Sequence, residues 1–109
     1  MKIFGYKYRV VEDIEVNNRA ELGYADTDNY VLQIAVGMTE QQKISVVVHE
    51  IIEALKDHMG KSDLDHDLID MFETLVFMAL VDNGVDLRPL IKDIEPAVGI
   101  PAVLPRLLQ

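Results

Sequence analysis

The sequence predicts an α+β fold: a small antiparallel sheet of about three strands packed on a two-helix hairpin, followed by a proline-rich C-terminal tail. Three observations carry that prediction. Period-two alternation of apolar residues is confined to the first third of the chain, two runs of helical period follow it, and all four prolines lie from Pro89 onward. The 109 residues suit one domain, with residues 1–84 as the folded unit and residues 85–109 as an apolar extension packed on its core.

In the first segment Phe4, Tyr6, Tyr8 and Val10 alternate with Gly5, Lys7 and Arg9, the pattern of a half-buried strand that Ile14 and Val16 could prolong. Asn17 and Asn18 signal a turn. Leu22 to Asp26 is a short strand interrupted by Gly23, and Asp26 to Asn29 is the next turn. From Tyr30 to Val36 the alternation is clearest, ending at Gly37. Tyr6, Tyr8, Tyr24 and Tyr30 read as sheet packing. Thr39 and Gln42 then form a capping box that opens a first helix, which runs to Gly60. Its apolar face is Ile44, Val47, Val48, Ile51, Ile52, Leu55 and Met59, while His49 and Glu53 share another side with Val46. Ser62 to Asp65 announces a second helix from about Leu64 to Asn83, stopped by Gly84. Ile69, Leu68, Phe72, Val76, Ala79 and Leu80 form its apolar face, and His66, Asp70, Glu73 and Phe77 lie on one stripe at its edge. A connection this short makes the two helices an antiparallel hairpin, so the two polar stripes can meet. The proline-rich tail cannot continue as a long helix.

Composition narrows the function. Against 19 Asp plus Glu stand 10 scattered Lys plus Arg, a net charge of -9, which disfavours nucleic acid and anionic membrane surfaces as partners. There is no cysteine, so thiolate zinc sites and cysteine nucleophiles are excluded and any metal must be held by His, Asp or Glu. No segment approaches the length of an apolar membrane span and the N-terminus has no secretory pattern, so the expected location is cytoplasmic.

His49-Glu50-Ile51-Ile52-Glu53 is one substitution away from H-E-x-x-H, where two histidines one turn apart bind zinc. At i and i+4 an imidazole and a carboxylate can share an ion, and a third ligand must come from elsewhere. With His66 as that ligand the set is two His and one Glu, which suits zinc; with Glu73 instead it is one His and two carboxylates, more tolerant of manganese or magnesium. The expected set is His49, Glu53 and His66, with Glu73 as a fourth ligand or as a brace behind one. His58 is assigned no role. The plain alternative is an ordinary His–Glu pair on a helix surface, contributing only a few tenths of a kcal/mol.

His49-Glu50-Ile51-Ile52-Glu53-Ala54-Leu55, with His66, Ile69, Glu73 and Val81-Asp82-Asn83 after it, resembles the short zincin-like metallopeptidase proteins found among bacteriophages and their hosts. The similarity spans about residues 1–84, with Glu53 standing where the commoner motif has a second His. The resemblance implies a zincin-like fold, His49 as ligand, Glu50 as the catalytic base acting on metal-activated water, and the Tyr30–Val36 strand as an edge along which a peptide or protein substrate could lie. A non-catalytic metal-binding or protein-interaction module that keeps a degenerate form of the fold is the alternative.

Overall fold

The computed structural model describes residues 1–61 and 63–96. Its elements are β1 (Lys2–Ile3), β2 (Tyr6–Lys7), β3 (Arg9–Glu12), α1 (Ile14–Asn18), β4 (Gly23–Asp26), β5 (Val31–Ile34), α2 (Glu40–His58) and α3 (His66–Val81), then a short 3-10 helix at Arg88–Ile91. The fold is α+β, two long helices with small sheets. Ser62 of the helix-start signature and residues 97–109 of the expected tail lie outside the described residues.

The sheet departs from expectation. The single strand expected from Phe4 to Val10 is divided, because Phe4 and Gly5, at φ 52° and 83°, form the two-residue turn of a β1–β2 hairpin in which Ile3 faces Tyr6. A turn of this kind needs both central residues in the left-handed region, which glycine enters freely and phenylalanine does not. Ile14 and Val16 do not prolong a strand but belong to α1, whose N-cap Asp13 accepts a hydrogen bond from the Glu15 N–H at 2.9 Å. Val16 is thereby fully buried. Asp13 also donates its backbone N–H to the Ile34 carbonyl and accepts from Gln33 Nε2, each at 2.9 Å, fastening α1 to β5.

The three-stranded sheet is mixed rather than antiparallel. Its order is β3-β5-β4, with β5 parallel to β3 and antiparallel to β4. Parallel neighbours need a long crossover, and α1 with β4 supplies it. The Tyr30–Val36 segment expected at an edge therefore contains the central strand. The outer side of β3 is covered by Glu95, which accepts from the Glu12 N–H at 2.9 Å and donates to the Val10 carbonyl at 2.8 Å. Among the described residues β4 is the open edge.

One face of these strands packs on α2. Tyr8, Val10, Leu32 and Ile34 meet Val46, Val47 and Ala54 in one buried cluster, with Leu90, Ile91 and Ile94 packed beside it. The capping box of Thr39 and Gln42 forms as expected, and α2 closes at Gly60 with the Gly60 N–H on Asp57 and the Lys61 N–H on Lys56, the double bond of a Schellman motif. The buried side of α2 is rotated from the expected one: Glu50 and Ala54 are buried, whereas Met59 is exposed. Helix α3 starts one residue after its cap Asp65, which accepts from the Asp67 N–H. Of its expected apolar face, Ile69 is buried and Val76 and Leu80 are half-buried, but Leu68, Phe72 and Ala79 face outward. Apolar residues surround this helix on nearly all sides, so its periodicity could not single out the side that packs. No helix among the described residues is long and apolar enough to cross a membrane.

Candidate metal centre

The two polar stripes do meet. Helix α2 contributes His49, Glu50 and Glu53, helix α3 contributes His66 and Glu73 with Asp70 beside the two histidines, and β4 closes the cleft with Gly23, Tyr24 and Ala25. The His49 and His66 rings lie 5.3 Å apart, centre to centre, in an edge-to-face arrangement.

Each predicted residue has a definite place. His49 Nδ1 lies 2.6 Å from Glu73 Oε2, so this nitrogen carries the proton that Glu73 accepts and Nε2 is left as a lone-pair donor. A carboxylate behind an imidazole is the arrangement that orients a metal-binding histidine and raises its basicity. Glu73 thus takes the bracing role, helped by the Ser45 hydroxyl, which donates to its other oxygen at 3.4 Å. Glu53 Oε1 lies 3.7 Å from His49 Nε2 and 3.4 Å from His66 Nδ1. Its other oxygen accepts from Lys56 Nζ at 2.7 Å. Glu53 Oε1 itself is buried and has no hydrogen-bond partner.

Ligand atoms of His49, His66 and Asp70 lie within 4.8 Å of one another. Asp70 was on the expected stripe but not in the expected ligand set; its Oδ1 is 3.6 Å from His49 Nδ1 and 4.0 Å from His66 Nε2. His66 and Asp70 are exposed, whereas His49, Glu53 and Glu73 are not. The α2 half of the site is therefore enclosed and the α3 half faces solvent. Glu53 and Asp70 approach opposite nitrogens of the two rings, so an ion would take the imidazoles with one carboxylate or the other: Glu53 at His49 Nε2 and His66 Nδ1, or Asp70 at His49 Nδ1 and His66 Nε2. Either set, two imidazoles and one carboxylate, fits a borderline divalent ion such as zinc and also admits manganese. An unpaired, buried carboxylate oxygen is costly in a dry site, and a cation between the imidazoles would satisfy it.

Glu50 is the buried charged residue of the molecule's described part, only 6 % exposed. Burial pushes its carboxyl up to about 7; the nearby His49 opposes the shift, and Glu53 and Glu73 add to it. For His49, burial favours the neutral ring, but the Glu73 hydrogen bond and the charges of Glu50, Glu73 and Glu53 leave it raised. The space for Glu50 comes from Gly23, which does not interrupt its strand as expected but opens β4, paired with Ile34. A Cβ there would lie 2.8 Å from Glu50 Oε2 and 2.7 Å from Val46 Cγ1. The available signal was a glycine inside a strand pattern, which marks close backbone approach as often as interruption.

His58 belongs to a separate aromatic cluster. It is hydrogen-bonded to the Tyr8 hydroxyl and stacks on Tyr6 and Phe4, with ring centres 4.8 and 5.7 Å away. It takes no part in the cleft.

No family model, curated protein or solved structure matches the chain.

Proposed function

We propose that this protein binds a divalent cation, zinc or alternatively manganese, between α2, α3 and β4, and acts as a zincin-like peptidase on a peptide or protein substrate. The observation that carries the reading is Glu53 Oε1, buried without a partner between two imidazoles. His49 through Nε2, Glu53 and His66 through Nδ1 would hold the ion, with Glu73 orienting His49 from Nδ1; Asp70 lies at the other nitrogen of each ring. A bound ion supplies Lewis acidity, which activates water and polarises a carbonyl. Glu50, buried beside His49, would accept the proton of that water and return it to a leaving amine.

The substrate path runs along β4, not along the central β5. Tyr24 faces Gln33 across the ladder, and the Leu22 carbonyl accepts from the Ala35 N–H at 2.9 Å. By the alternation of antiparallel pairing, the backbone groups of Gly23 and Ala25 then point to the open edge, where an extended peptide can add as a strand.

A second reading, a non-catalytic module in which the ion ties α3 to α2, is favoured by the thin anchoring of α3, which buries Ile69 alone. The two readings separate in one experiment. Protein purified without chelator should contain about one equivalent of divalent metal, and zinc should raise the Tm of stripped protein, by about 2–4 kcal/mol of stability at saturating excess. Absence of both sinks either reading. Glu50→Gln should retain the metal and lose peptide hydrolysis if the protein is a peptidase; a metal-loaded wild type that cleaves no member of a peptide library leaves only the module.

A further inference from the structure

The outward face of α3 is apolar without cover from any described residue. Leu68, Met71, Phe72, Leu75 and Met78 are 47–56 % exposed, on a helix whose inward side is Ile69, Glu73, Val76, Phe77 and Leu80. Surface hydrophobes scattered singly need no explanation, but a contiguous stripe of this size does. The spacing of Leu68, Met71, Leu75 and Met78 alternates three and four residues, the 3.5-residue repeat that interlocks with another helix rather than with a strand or an irregular chain. The stripe continues into the groove that Ile52 and Leu55 of α2 form with Phe72. The groove's charged residue, Lys56, is already paired with Glu53.

We infer that α3 docks antiparallel on α3 of a second copy of this chain, making a two-fold dimer of α2–α3 hairpins. In that arrangement Leu68 meets the Met78 of its twin and Met71 meets Leu75, so one stripe is complementary to itself, as a two-fold interface requires. The helix dipoles choose the direction. Antiparallel pairing opposes them and sets Asp65 and Asp67 opposite the uncharged Val81 and Ala79 of the other helix, with Asp82 opposite Leu64. Parallel pairing would set each acidic start beside its own copy and Asp82 against Asp82. For a chain of net charge -9 this uncharged face is where two copies approach with least repulsion.

The area is sufficient. Met59, Leu64 and Val81 extend the exposed stripe at its ends. At roughly half exposure each of these side chains leaves on the order of 100 Å² free, so the whole face offers at most ~800 Å² per partner, the size of a standard interface. The metal-site residues of α3 lie on its other side, so the dimer and the ion can hold the helix at once.

The full chain, without cysteine, makes the test direct. Sedimentation at micromolar concentration should give twice the 12.3 kDa chain mass, and Leu75→Glu should halve it with unchanged helical circular dichroism. If Leu75→Glu fails to fold, crosslinking decides: a mixture of Met71→Cys and Leu75→Cys chains should oxidise to the mixed disulfide several-fold faster than either alone. Faster joining of like chains would overturn the antiparallel arrangement. A wild-type monomer would overturn the dimer altogether, and slow thiol labelling of Leu75→Cys in that monomer would assign the face to the chain's own residues 97–109.

Discussion

The two long helices are built on opposite terms. Helix α2 lies on the sheet with Val46, Val47, Val48 and Ala54 buried, whereas α3, of similar length and richer in apolar residues, buries only Ile69. Burial, not hydrophobic content, is what fixes an element, because only area removed from water contributes. The candidate site spans this divide. Its α2 half is held by the fold, and its α3 half is held by whatever else engages α3.

The sharpest break of this contrast is a cavity under α2. Leu32 is fully buried against that helix, and Leu32→Ala should cost about 3 kcal/mol in urea unfolding. A loss below about 1 kcal/mol would mean the sheet–α2 unit is not the stable half. Next comes Glu50. In metal-stripped protein its folded carboxyl titrates near 7 against about 4.5 in the unfolded chain, so the folded state holds a proton over that window. Stability contributed by the neutral form is complete below about pH 4.5 and is lost as pH rises through 7, about 3 kcal/mol in all. Glu50→Gln should flatten that slope, and an unchanged pH profile would show that Glu50 is solvated. The smallest effect compares the caps. Thr39→Ala should lower global stability by about 1 kcal/mol, while Asp65→Ala, fraying only α3, should change it by less than about 0.5 kcal/mol and appear as faster amide exchange confined to α3. Equal global effects would abolish the distinction.

What the sequence disclosed follows the range of the forces involved. The capping box of Thr39 and Gln42, the stop at Gly60 and the two polar stripes depend on residues a few positions apart, and all are found where expected. The encounter of His49 with Glu73 and of Glu53 with His66 was readable because two helices on a short connection leave few ways to pack. The parallel pairing of β3 with β5 was not, since period-two alternation is blind to strand direction. The α1 turn was missed although Asp13 is a good cap, because five residues are too few to show a period. Which side of α3 faces inward was hidden by apolar residues on both sides, and the unpaired state of Glu53 Oε1 depends on the exact approach of three side chains.

Gly23 and Glu50 are one unit of variation. The space that admits the longer acid at position 50 is the space that a methyl group at position 23 would fill. A drift from glycine at 23 is therefore tolerable only if the side chains at both 46 and 50 shorten or shift, since Val46 Cγ1 stands as near as Glu50, so the strand and the helix cannot diverge independently at this crossing.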